Sequence, residues 1–130
     1  GLERRVDALE HWVESLHAAA VWATWVNDPH CDHEATAGIA RMLGCRRPGL
    51  ARWSYPVWGR FGELAPSALP RQGRLVRLDT HTVEPRKARA IAAHRSQMTA
   101  LIDDDPDGFV MPPAMQRHFA HHPEIFIRDA

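Results

Sequence analysis

Ala18-Ala19-Ala20-Val21-Trp22-Ala23-Thr24-Trp25-Val26, closed by Asn27-Asp28-Pro29 and followed by His30-Cys31-Asp32-His33, is the stretch whose reading decides the fold. The run is apolar on both of its alternating faces, which predicts an interior strand of a parallel sheet covered on two sides by helices. Asn27-Asp28-Pro29 stops it. Beyond that stop, Ala35, Ile39, Ala40 and Leu43 form an apolar stripe, so a helix is expected over about 33–43, with Asp32 as its N-cap and Gly44 as its end.

Working outward, Leu2, Val6, Leu9, Val13 and Leu16 recur at helical spacing and predict an amphipathic helix over 3–17. Residues 51–58 read as the next strand, with Pro56 pushing its end toward an edge or a bulge. Helix, strand, helix, strand in that order predicts an α/β fold with right-handed parallel crossovers. From Gly59 to Gly73 periodicity disappears, leaving a loop of the length that covers or lines a site. A short strand is expected over 74–79. Pro85 then sits in the first turn of a helix running to about Ile102, whose Lys87, Ile91, His94, Met98 and Leu101 lie on one stripe. Asp103 to Gly108 reads as a turn, His118, His121 and His122 fall in a proline-flanked polar tail, and Glu124 to Arg128 reads as a last strand.

Composition narrows the function. With 130 residues and 45% apolar content, one packed domain burying roughly two-thirds of its unfolded surface is the expectation. Sixteen basic and sixteen acidic side chains cancel, which leaves no excess charge for a phosphate backbone or an anionic membrane. The longest apolar stretch falls short of the about 20 residues that a bilayer requires, and it lacks the flanks of a secretory signal. Two cysteines, Cys31 and Cys45, fit reduced thiols in a cytoplasm better than a disulfide framework. Because the chain begins at Gly1 in what reads as the middle of a pattern, a fragment of a longer protein is expected.

The residues after the first strand carry the chemistry. Imidazole and carboxylate are ligands of catalytic zinc, and ligands in open parallel sheets bind at the carboxyl ends of the strands, where His30, Asp32 and His33 fall. In the first helical turn the positive end of the helix dipole keeps a His33 ring neutral, as ligation demands. A plainer arrangement fits the same residues: a helix-capping Asp with two surface histidines. His94, on its apolar stripe, reads as a hydrogen-bonded core histidine or a pocket residue, with Gln97 able to satisfy it or to line the pocket beside it.

Two ordered motifs resemble one family. Pro29-His30-Cys31-Asp32-His33-Glu34-Ala35 is similar to the His-x-Asp-His-x-Ala motif of PIG-L/LmbE-type zinc-dependent N-acetyl deacetylases, and Lys87-Ala-Arg-Ala-Ile-Ala-Ala-His94-Arg-Ser-Gln97 to that family's Lys-x-x-Ala-x-x-x-His-x-Ser-Gln helix. Tyr55-Pro56-Val57-Trp58 and Glu124-Ile-Phe resemble weaker features, so the likeness spans nearly the whole chain and matches the family's C-terminal half. It implies a Rossmann-like three-layer fold with a mainly parallel sheet, here a partial domain over 1–130. It also implies a hydrolase that removes an acetyl group from an N-acetylated sugar or similar small amine through metal-activated water. Carried over, His33 would ligate Zn2+ or another divalent metal, His30 would stabilise the oxyanion or protonate the leaving amine, and Asp32 would orient His30. His94 and Gln97 would lie near the substrate.

The family's other motif, His-Pro-Asp-Asp, which supplies two further ligands and the general base, does not occur in this sequence. Those ligands would come from outside the chain, and this chain alone is expected to bind zinc poorly and to be inactive. Its expected partners are the small N-acetylated substrate and either the missing N-terminal half or another copy of itself, with no nucleic acid and no membrane. The alternative is a metal-free degenerate domain with a binding or assembly role. An upstream His-Pro-Asp-Asp in the parent gene decides between them.

Overall fold

A computed structural model describes residues 2–61, 74–104 and 108–129. The chain is α/β, and its four strands form one sheet in the order β1-β2-β4-β3. Contacts group it into two compact units, residues 1–76 with 125–130, and residues 77–124.

The first unit opens with α1 (Leu2–Ser15), β1 (Ala20–Thr24), α2 (Cys31–Arg46) and β2 (Ala51–Tyr55). Helix α1 stops in a Schellman turn: His17 N–H donates to Glu14 O (3.1 Å) and Ala18 N–H to Val13 O (2.9 Å), with His17 at φ 50°. That turn takes up residues expected to belong to the strand, so β1 starts at Ala20. Strands β1 and β2 pair in parallel, Ala20 opposite Ala51 through Thr24 opposite Tyr55. Their helical cover is built from Val6 on α1, Leu43 on α2 and Leu50, all buried, with Leu9, Val13, Val21, Ile39 and Met42 packed against them. Each such fully buried aliphatic side chain contributes about 1.5–3 kcal/mol. Arg46 pairs with Glu3, Asp7 and Glu10 of α1, and Arg47 with Glu14, tying the end of α2 to α1 across the surface.

Three expectations are corrected in this unit. Helix α2 runs through Gly44 to Arg46; a Cβ at Gly44 would meet the Arg52 side chain, which packs close against the helix there. Strand β1 is an edge strand among the described residues, and Trp22 on it is 50% exposed. Its apolar character on both faces has two causes: Val21 faces the helices, while Trp22 stacks on Trp53 (ring centroids 5.3 Å) and meets the edge of Phe126 (4.8 Å) on the other face. Finally, the sheet is mixed. Strand β4 (Glu124–Arg128) runs antiparallel to β2, Trp53 opposite Arg128 and Ser54 opposite Ile127.

Strand β3 (Arg74–Leu78) falls where expected; of the long loop over 59–73, residues from 62 onward lie outside the described residues. In the second unit, α3 (Glu84–Ala92) carries Pro85 in its first turn, but the helix expected to reach Ile102 breaks at Ala93–His94 and resumes as the short α4 (Arg95–Met98). The region read as a polar tail contains α5 (Pro113–His121), which packs on α3. Lys87, its side chain 13% exposed, pairs with Glu124 (2.5 Å) and donates to His122 O (2.7 Å). Among the described residues no helix is long and apolar enough to cross a membrane.

Candidate functional site

The carboxyl ends of the two parallel strands carry the two loops that build the site. After β1, Asp28 N–H returns to Trp25 O (3.0 Å) and His30 N–H to Asp28 O (2.7 Å), a tight turn that delivers the chain to the start of α2. Thr24, at the end of β1, donates through Oγ1 to His33 O (2.9 Å) and anchors the first turn of the helix to the strand. After β2, the chain passes buried Pro56 into a single 3-10 turn, Trp58–Arg60.

Asp28 joins the two loops. Its side chain is 0% exposed. Oδ1 accepts from Val57 N–H (3.0 Å) and Gly59 N–H (2.6 Å), and Oδ2 from Trp58 N–H (3.1 Å) and the His33 ring at Nδ1 (2.5 Å). Burial pushes this carboxyl's pKa up, but the hydrogen bonds from Gly59, His33, Trp58 and Val57 together outweigh it and hold the value below the ordinary one. The group is ionised at neutral pH, so His33 Nδ1 is the donor, and whenever the ring is neutral its lone pair lies on Nε2.

His30 has the opposite arrangement. It is the N-cap of α2, and its Nδ1 accepts from Asp32 N–H (3.2 Å), which places the ring proton on Nε2. The two rings lie side by side, centroids 4.7 Å apart and tilted by 34°. One therefore offers a lone pair and its neighbour an N–H donor. A lone pair suits a metal ion, and a donor suits a developing negative charge.

Asp32 differs from its expected place. It is not the N-cap; it sits one residue into α2, exposed, and its contribution to the orientation of His30 is its backbone N–H. The helix uses the ring of His30 for the cap because His30, with φ −152° and ψ 129°, is the last extended residue before α2. The Asp32 carboxylate lies 4.0 Å from Cys31 Sγ, and His30, Cys31 and Asp32 together offer ligand atoms within 4.8 Å of one another, all on exposed side chains.

His94 and Gln97 belong to the second unit. His94 is exposed and lies in the break between α3 and α4, off the helical stripe on which it was expected. Gln97 donates its backbone N–H to His94 O (2.9 Å) and accepts from Met111 N–H at its own carbonyl (2.7 Å). Asp28, which the sequence pattern marks only as part of a strand stop, is the functional residue that spacing does not reveal. Its signal is an acidic side chain in the stop that closes the most apolar run, just ahead of a histidine pair.

Comparison with known proteins finds no matching family model, no matching curated protein and no matching solved structure. The two ordered motifs and the geometry around Asp28 are therefore the grounds for a functional reading.

Proposed function

We propose that this chain is the C-terminal portion of a PIG-L/LmbE-type metal-dependent N-acetyl deacetylase, with a Rossmann-like three-layer architecture completed by polypeptide outside it. The observation that carries the reading is the buried Asp28 carboxylate on His33 Nδ1, which leaves Nε2 as a ring nitrogen of the kind metals take. Metal-ligating histidines characteristically donate their other ring N–H to such a carboxylate.

The donor set fits a divalent cation in part. His33 supplies one nitrogen ligand, and a catalytic zinc takes three protein ligands, so two would come from beyond this chain. When bound, the cation would supply Lewis acidity toward an amide carbonyl and its attacking water. The chain's own residues do the rest on this side of the site. Asp28 fixes the ring orientation of His33. His30, through Nε2–H, donates a hydrogen bond to the oxygen on which charge develops. Asp32, through its backbone N–H, holds His30 in the tautomer that can do so.

The proposed substrate is a small N-acetylated amine or sugar, and the proposed protein partner is the missing N-terminal half or a second copy. An edge strand bearing a half-exposed Trp22 supports the latter proposal. The free thiols Cys31 and Cys45 support a cytoplasmic location. The test is His33→Ala in the complete protein: loss of bound metal and of acetate release is expected, and unchanged metal content with unchanged acetate release ends the proposal.

A further inference from the structure

A buried carboxylate beside a histidine pair has three possible duties: metal ligand, general base, or positioning group. The hydrogen bonds of Asp28 select among them. A carboxylate has about four lone-pair sites. Here all are taken from within the chain, two on Oδ1 by Val57 and Gly59 and two on Oδ2 by Trp58 and His33. With no lone pair left over and no exposed surface, Asp28 can neither ligate a cation nor take a proton from a substrate. It acts through the groups that it holds.

Those groups come from two different loops. The His33 ring belongs to the first turn of α2, whereas the three amides belong to the turn after β2, which carries Trp58. We infer that Asp28 is the positioning residue of this site: it sets the His33 tautomer that leaves Nε2 bare, and it ties the Val57–Gly59 turn to that ring so that ligand and adjoining wall form one rigid piece. The consequence for metal affinity rests on the reading of His33 as a ligand; the geometry itself does not.

Asparagine at this position separates the two halves of the role. Its amide oxygen still accepts from Val57 and Gly59, but its NH2 replaces the acceptor that served Trp58 and His33. The NH2 meets the Trp58 N–H donor to donor, and it satisfies His33 Nδ1 only if the imidazole proton moves to Nε2. A ring protonated on Nε2 has no lone pair there for a metal. An amide replacing the orienting carboxylate therefore inverts the ring, as a wrong-tautomer substitution does in a catalytic triad.

The experiment uses the complete, metal-free protein with isotope-labelled histidine and backbone amides, read by long-range proton–nitrogen correlation above the ordinary imidazole pKa. The unsubstituted protein should show His33 protonated at Nδ1 and bare at Nε2. In Asp28→Asn the pattern should invert, the Trp58 amide should lose its hydrogen-bonded shift, and zinc affinity should fall by about 10–100-fold. A proton on Nε2 of His33 in the unsubstituted protein overturns the inference without any variant, so misfolding of Asp28→Asn cannot shelter it. A His33 tautomer and Val57–Gly59 amides left unchanged by Asp28→Asn overturn it as well. If the tautomers behave as stated while the unsubstituted protein takes up no zinc, the positioning role stands and the deacetylase reading falls.

Discussion

Residues 28–33 and 94–97 both carry histidines that the sequence marks for a site, yet they are built differently. Around His33, a buried carboxylate, a strand-end threonine and three backbone amides converge from two loops. Around His94 the helix is broken, the ring is exposed, and the hydrogen bonds of the segment run along the backbone. The difference teaches that spacing marks a candidate, whereas a buried polar organiser gives it a fixed geometry.

The strongest way to break this contrast is Asp28→Ala. It strands three amides and an imidazole in a buried place, so about 3–5 kcal/mol of stability should be lost in urea unfolding. His94→Ala should stay within about 0.5 kcal/mol of the unsubstituted protein; equal effects at the two positions would erase the distinction. Acid sharpens it further. Because the folded pKa of Asp28 lies below its unfolded value, its contribution is complete above roughly pH 4 and is lost as pH falls through the folded value. The stability gap between the metal-free protein and Asp28→Asn should therefore close as the pH falls through the folded value of Asp28. A gap that persists unchanged below that value contradicts the assignment.

A smaller effect tests whether the second unit has an organiser of its own. Lys87 holds Glu124 and His122 O from a mostly buried position, so Lys87→Met should cost about 1–3 kcal/mol. The smallest expected change is a gain. His17 occupies the left-handed region at the end of α1, where a side chain is strained, and His17→Gly should raise stability by about 1 kcal/mol. A loss there would mean that the imidazole makes contacts worth more than the backbone strain.

Much of the local structure was legible in the sequence, because it depends on near neighbours. The stripe Val6, Leu9, Val13 reports α1 directly, Pro85 marks the start of α3, and the short apolar run Ile125-Phe126-Ile127 reports β4. What escaped depends on distant partners. Gly44 looks like a helix end until Arg52 is seen packed close against it. The direction of β4 against β2 leaves no mark on the composition of either strand. His94 sits on a continuous stripe on paper, yet the helix breaks there, and the returning Met111 donates its N–H to Gln97 O just beyond the break. Of the site, the histidine pair was legible and its carboxylate was not, since Asp28 finds three of its four donors in the turn after β2, far along the chain.

The pairing of Trp22 with Trp53 has an optical consequence. Two indoles stacked with their planes nearly parallel, 10° apart, across the β1–β2 ladder couple their electronic transitions, and the coupling exists only while the two strands are in register. The molecule thus contains its own circular-dichroism reporter for the edge strand, one that would fade when β1 peels away and change sign or intensity when another chain docks against it.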